Sequence, residues 1–415
     1  MSATVHIIGA GLAGLSAAVR LNAVGRHAVV HEATAFAGGR CRSYHDASLG
    51  MTIDNGNHLL LSGNRAALEY LRSIDAEHRL AGPPAAEFFF VDLASSERWT
   101  LRFNDGPIPF WVFDPGRRVP GTRALDYAPM ARLLWPPAGK TVGEVISCEG
   151  TVYRRLVAPL LLAALNIDPP QGSARLAAAV IRETLAVGGR ACRPLIAREG
   201  LGSTLVEPAL AFLQRRGTTV RMEHQLRSMR FGRERVDTLY FGGDSIALEA
   251  DDAVILAVPP YAAAPLVGEL VMPTEFRAIV NAHFRIDPPP AQPSMLGVLN
   301  GTVEWIFAFP GRLSVTISAG DRLIDTPREE LARMLWSEVA SVTGLPGTLP
   351  PWQIVRERRA TFAATPAQDA KRPGAATPWR NLVLAGDWTD TGLPATIESA
   401  IRSGHRAADM IATLS

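Results

Sequence analysis

The strongest constraint on this chain lies in its first thirty residues. A short apolar strand, Val5–Ile8, runs into Gly9-Ala10-Gly11-Leu12-Ala13-Gly14. An Ala/Leu-rich helix follows to about Val24, then a second strand, Ala28–Glu32. This pattern predicts one βαβ unit that binds a dinucleotide. Gly9 permits the tight turn out of the strand. Gly11, with Leu12 and Ala13 at the helix start, lets backbone amides approach a pyrophosphate, and Gly14 lets the helix lie close on the sheet. Glu32, about 20 residues on, suits the two ribose hydroxyls and argues against a 2′-phosphate, hence against NADP. The unit alone leaves NAD and FAD open.

Two further segments point to FAD. Ala37-Gly38-Gly39-Arg40 follows the acidic strand end directly, and a glycine pair beside an arginine suits the second phosphate of an extended cofactor. At the far end, Asn381–Asp387 reads as a buried strand ending in Gly386-Asp387, followed by a loop and a helix from about Ala395 to Ala412. That geometry can bring Asp387 to a ribityl or phosphate group and aim a helix N-terminus at the pyrimidine side of a flavin. One FAD held by both ends of the chain is the expectation, and no second G-x-G-x-x-G supports a nicotinamide.

Composition narrows the classes. The 42 basic and 40 acidic residues leave a net charge of +2, which gives no global field to hold nucleic acid. A length of 415 residues with 47% hydrophobic content predicts two or three packed units. Cys41, Cys148 and Cys192 lack metal or disulfide spacing and read as inert thiols in a reducing compartment, with no metal site. The apolar start has no signal-peptide flanks, so a cytoplasmic protein is expected. The richest apolar run, Leu156 to Ile167, is broken by Pro159 and Asn166, so any membrane contact is peripheral, with this run as its candidate.

The expected fold class is α/β, a Rossmann-like FAD-binding domain carrying an inserted α+β substrate domain. The FAD domain takes residues 1–81, 196–261 and 376–415. The substrate domain takes 82–195 and 262–375, which carry most of the tryptophans, the Pro-rich loops and alternating strands such as Val303–Phe309 and Leu313–Ser318.

The Ile7–Gly14 turn, Glu32, Gly38-Gly39-Arg40 and Ala385-Gly386-Asp387 together resemble the flavin amine oxidase and carotenoid desaturase superfamily. Within it, Ile53–Leu61, Arg358–Pro366 and Gly392–Ala400 resemble the hydroxysqualene dehydroxylases of bacterial hopanoid synthesis; Ile279–His283 and the region from Asn166 to Ala174 are similar as well. The resemblance implies an amine-oxidase-type fold and a non-covalent FAD enzyme that reduces 12-hydroxysqualene to squalene. It places FAD on Gly9, Gly11, Gly14, Glu32, Gly39, Arg40, Gly386 and Asp387, with Gly38 in the same turn and Ile397 at the helix start near the flavin. Leu226 falls near a position that holds the adenine through its backbone. The implied partners are the isoprenoid lipid, a membrane surface at the inner face of the cell membrane, and upstream enzymes of the squalene pathway.

The chemistry can be argued separately. Loss of a protonated allylic hydroxyl leaves a delocalised cation, which hydride from a reduced flavin can quench. Such a site needs a dry tunnel, aromatic faces and one acid beside the hydroxyl. Phe110–Phe113, Trp305–Phe309 and Trp388 offer aromatics. Asp54, His58 and Asp390 are the first candidates for the acid, with Glu304 and Glu398 behind them. Asp54 can equally order its Asp-Asn-Gly turn, and Glu398 the first turn of its helix. The arginines of Arg356–Arg359 read as a solvated or salt-bridged strand face. A carotenoid-type desaturase is the alternative, since the same tunnel serves both hydride directions. An amine oxidase is disfavoured because Lys140 and Lys371, the only lysines, fall in loop-like surroundings. A non-catalytic prenyl-lipid escort is disfavoured by the intact flavin elements.

Overall fold

A computed structural model describes residues 3–268 and 270–413. Five strands form an all-parallel sheet in the order Thr219–Arg221, His27–His31, Thr4–Ile8, Ala253–Leu256 and Leu382–Leu384. The start, middle and end of the chain thus meet in one layer. The central strands are continuous apolar runs because both faces of a parallel sheet are covered: Ile7, Val254, Ile255 and Leu256 are fully or almost fully buried. On one face the Leu12–Ala23 and Ile397–Ala412 helices pack together. Gly14 is obligatory there, since a Cβ at that position would stand 1.9 Å from the Gly9 carbonyl oxygen.

The second layer is a seven-stranded sheet in the order Trp352–Phe362, Phe276–Arg285, Arg312–Ile317, Trp305–Phe309, Met295–Leu299, Glu87–Asp92 and Arg98–Arg102. The period-2 alternation predicted from the sequence decides its faces. Val280, Ala282, Val315, Ile317 and Ile306 turn to one side and pack against Leu331, Leu335 and Trp336 of the Arg328–Thr343 helix. The residues between them point the other way. In register across the sheet, Asn281 pairs with Thr316, Thr316 with Trp305, Trp305 with Gly297 and Gly297 with Phe90. These five positions form a row on the face opposite that helix, polar at one end and aromatic at the other.

One expectation is corrected here. Leu156, Leu161, Leu165 and Ile167 are buried, with Leu161 at 0% exposure, so the run proposed as a membrane contact faces the core instead. Its apolar residues help close the cluster that also holds Phe90, Trp99 and Tyr153. The large apolar side chains that face solvent lie elsewhere: Ile108, Phe110, Phe113, Leu125 and Trp135, the last at 76% exposure.

Candidate active site

The N-terminal turn and the Gly38-Gly39 turn are built against each other. Gly38 N donates to the Ala10 carbonyl at 2.8 Å, and Gly11 and Gly38 form a parallel bridge. The Leu12–Ala23 helix begins beside that junction with Gly11 as its cap and no side-chain hydrogen bond on its first amides. A Cβ at Gly11 would meet nothing within 4 Å. Open space in front of free helix amides is what a phosphate needs. Glu32 borders the turn: Oε2 accepts from Ala10 N at 2.8 Å and Oε1 from Thr34 N at 3.0 Å. His224 N donates to the Glu32 carbonyl at 2.7 Å, which brings the lead-in to the Leu226–Phe231 strand against the same turn. Leu226 itself is buried at the start of that strand.

Arg40 links this cradle to the C-terminal end. It donates to Asp387 Oδ1 at 2.8 Å and to the Ala360 carbonyl at 2.5 Å. Gly386 is held by Ser403 Oγ, which accepts from its N–H at 2.7 Å. Ile397 opens the second helix, whose cap Thr396 accepts from Ser399 N at 3.1 Å. Two helix N-termini, a ribose-seeking acid and a cation beside the second glycine turn are the donor set an extended flavin dinucleotide requires, so the residues present fit FAD.

The candidate acids separate clearly. Asp54 is buried with its carboxylate engaged: Oδ1 accepts from Ser43 Oγ at 2.5 Å and Leu201 N at 2.8 Å, and Arg312 stands 3.9 Å from Oδ2. Burial pushes its pKa up against those partners. Its visible work is to tie the 54–58 loop to the Gly200–Leu201 turn. Asp390 is half-exposed and paired with Arg175 at 3.2 Å, where it also receives Gly392 N. Glu398 caps a neighbouring helix by accepting from Ala66 N and Ala67 N at 3.1 and 2.9 Å. His58 differs, because its ring makes no hydrogen bond among the described residues. Burial, helped by the Arg40 charge, lowers its pKa to about 4, so it is neutral at pH 7. Glu304 accepts from Ser318 N at 2.8 Å, and burial pushes its pKa up to about 7.

Several expected aromatics stand elsewhere. Trp388 is 1% exposed, with Nε1 donating to the Val258 carbonyl at 2.9 Å, so it is an anchor in the core. Phe110 and Phe113 face outward, whereas Trp111 packs edge-on against Phe103 and Tyr127. Trp305 is half-buried, lies against Phe90 with ring centroids 5.6 Å apart, and adjoins Glu304. Lys140 pairs with Glu144 at 2.8 Å and Lys371 donates to Thr274 Oγ1 at 3.1 Å; neither joins the site. Arg359 is not simply solvated, since its guanidinium stacks 4.5 Å over Tyr261, whereas Arg358 pairs with Asp325 at the surface.

Two contributors escaped the sequence reading. Arg372 is fully buried and donates to the carbonyls of Asp387, Trp388 and Thr389 at 3.2, 3.3 and 2.5 Å, pinning the loop that carries Asp387. A network of Asn57, Asn281 and Thr316 lies under the 54–58 loop: Thr316 Oγ1 donates to Asn281 Oδ1 at 2.8 Å, and Asn57 Nδ2 to Thr316 Oγ1 at 3.1 Å. An asparagine inside an alternating apolar strand was the available signal for the second.

Comparison with known proteins agrees with this geometry. The profile of the family "Flavin containing amine oxidoreductase" matches residues 12–412. A hydroxysqualene dehydroxylase of Rhodopseudomonas palustris is 61% identical over 99% of both chains. Another, of Sinorhizobium fredii, is 59% identical over 99% of this chain and 98% of its own. A zeta-carotene desaturase of Synechocystis is only 23% identical, over 98% of this chain and 96% of its own. Among solved structures, putrescine oxidase bound to putrescine superposes with a TM-score of 0.72 at 15% identity, over 100% of this chain and 99% of its own, a likeness of fold. The chain belongs to the flavin containing amine oxidoreductases and, within them, to the family of the hydroxysqualene dehydroxylases.

Proposed function

We propose that this chain removes the allylic hydroxyl of 12-hydroxysqualene reductively to give squalene. The observation that carries the reading is 61% identity over 99% of the chain to a protein of that activity, with the flavin cradle intact. Reduced FAD supplies a hydride to the carbon that loses its oxygen. The chain's own residues do the rest. Arg40, Asp387 and the two glycine turns hold the cofactor. The hydroxyl leaves as water once it has taken a proton, so the site needs a carboxylic acid that keeps its proton near neutral pH. Glu304 suits that task best: its carboxyl group is held by Ser318 beside Trp305, and its pKa of about 7 keeps a large part of it protonated. The faces of Trp305 and Phe90, in the apolar half of the row, suit the delocalised cation.

The test is an anaerobic single turnover. FAD-loaded protein reduced with dithionite and mixed with 12-hydroxysqualene is expected to reoxidise and yield squalene in equal amount. Flavin that stays reduced, with the substrate bound and no squalene formed, would refute the reading.

A substrate of this class resides in lipid. No helix among the described residues is long and apolar enough to cross a membrane. The outward side chains Ile108, Phe110, Phe113, Leu125 and Trp135 are better suited to a bilayer surface than the buried 156–167 run. Four arginines in the same segment, Arg117, Arg118, Arg123 and Arg132, have no carboxylate partner among the described residues and suit anionic headgroups. Co-sedimentation with anionic vesicles tests this, and protein left entirely in the supernatant would rule it out.

A further inference from the structure

Asn281 lies in the middle of the Phe276–Arg285 strand and is 1% exposed. Which way its amide points is decided by its neighbours. Thr316 Oγ1 donates to Oδ1 at 2.8 Å, and Asn57 N donates to the same oxygen at 3.4 Å. Two donors on one atom identify it as the oxygen, so the NH2 group must face the other way. Nδ2 has no acceptor among the described residues.

The space it faces is defined by Gly56. A Cβ there would lie 3.2 Å from Asn281 Nδ2 and 3.7 Å from His58 Nε2. The missing side chain therefore leaves a small space flanked by two nitrogens, neither of which has a protein partner. One is a donor. The other belongs to a ring that no hydrogen bond holds in one tautomer, so Nε2 is free to accept. An alcohol can use both at once, its oxygen accepting from the amide while its O–H donates to the imidazole.

We propose that Asn281 Nδ2 and His58 Nε2, across Gly56, form the subsite that recognises the hydroxyl group of the substrate. The site's position in the fold agrees with this. The row running from Asn281 through Thr316 to Trp305 and Phe90 changes from polar to aromatic, matching a lipid with one hydroxyl along an otherwise apolar chain. The Arg40 charge that acts on His58 places the pair beside the flavin cradle. His58 is thereby a neutral binding group, and the proton comes from elsewhere.

This inference rests on the dehydroxylase reading, and its test is separable from that reading. The oxidised FAD-loaded protein is titrated with 12-hydroxysqualene and with squalene, and binding is followed by the change in flavin absorbance. The natural protein should bind the alcohol more tightly. Asn281→Leu, similar in size, should lose about tenfold or more in affinity for the alcohol and keep its affinity for squalene within about twofold. His58→Leu should move in the same direction and serves if the first variant fails to load FAD. Equal loss for both lipids, or no loss for either, would overturn the subsite. The single turnover of the natural protein reports separately on the reaction itself: squalene formed there with unchanged discrimination in both variants would refute the subsite alone.

Discussion

Arg40 and Asp387 are separated by 347 positions in sequence and by 2.8 Å in space. The pair joins the glycine turn that follows the second parallel strand to the loop that follows the last one, so it can form only when both ends of the chain have entered the same sheet. Asp387 is buried, whereas the Arg40 side chain keeps 37% of its surface exposed on the cradle side.

Breaking that pair is expected to cost cofactor affinity before it costs the fold. Asp387→Ala should reduce FAD affinity by roughly ten- to a hundredfold, on the scale of a charge-assisted hydrogen bond of about 1.5–3 kcal/mol. Flavin retained after desalting measures the loss, and far-ultraviolet circular dichroism should stay near that of the natural protein. Full retention of flavin would remove the pair from the cofactor site.

Gly14→Ala puts a Cβ 1.9 Å from the Gly9 carbonyl oxygen, backbone against backbone. The helix has to move off the sheet, with a loss of about 1–3 kcal/mol or more. Thermal unfolding should show a clear fall in midpoint together with weaker flavin binding. An unchanged midpoint would mean that helix and turn are looser than described.

Glu304→Gln keeps the shape and removes the proton. The single-turnover rate should fall by about 10²–10⁴-fold while FAD content is unchanged. In the natural protein the rate should decline as pH rises through about 7, because the acid form is the active one. A glutamine variant with the natural rate and the same pH profile would exclude Glu304 as the donor.

His6, His31 and His224 form a chain through the parallel sheet, with ring nitrogens 3.1 and 2.8 Å apart, ending at Asp244. Burial lowers the pKa of His6 to about 4 and that of His31 to about 3. Both rings are therefore neutral when folded, whereas the unfolded chain takes up protons near pH 6.5. Their contribution is fully present above about pH 6.5 and declines as pH falls toward 4 and 3, by up to about 1.4 kcal/mol per pH unit for each ring. Urea midpoints between pH 7.5 and 4.5 should drop, and His31→Gln should flatten the slope. An identical slope in the variant would exclude the chain as its source.

Phe110→Ser combined with Trp135→Ser should weaken binding to anionic vesicles severalfold and leave turnover of detergent-dispersed substrate unchanged. Both side chains are mostly exposed, at 63% and 76%, so little core packing is lost. Unaltered vesicle binding would turn attention to another face.

The flavin half of the site was legible because its signals are local. A glycine turn, the acid that follows it and the Gly-Gly-Arg turn sit within forty residues, and each is required by backbone geometry that a short stretch of chain dictates. The C-terminal Gly386-Asp387 was legible for the same reason. The substrate half was not. Asp54, His58 and Glu304 look equally acid or polar in sequence, and only burial and partners distinguish a carboxylate fastened by Ser43 and Leu201 from one whose pKa rises to about 7. Trp388 and the 156–167 run illustrate the same point, since apolar residues are written alike whether they face a core, a tunnel or a membrane.

What the sequence by itself determined is the parallel sheet with its cofactor turns and the period-2 strands of the second layer, all consequences of spacing along the chain. What only the tertiary structure decided is which residues meet. Asn281, Thr316, Trp305, Gly297 and Phe90 come from five strands, and their alignment in one row depends on strand register, which no single strand encodes. The orientation of the Asn281 amide depends in turn on two donors brought from residues 57 and 316. Hydrogen bonding and desolvation act over a few ångströms of space, and the folded chain alone sets those distances.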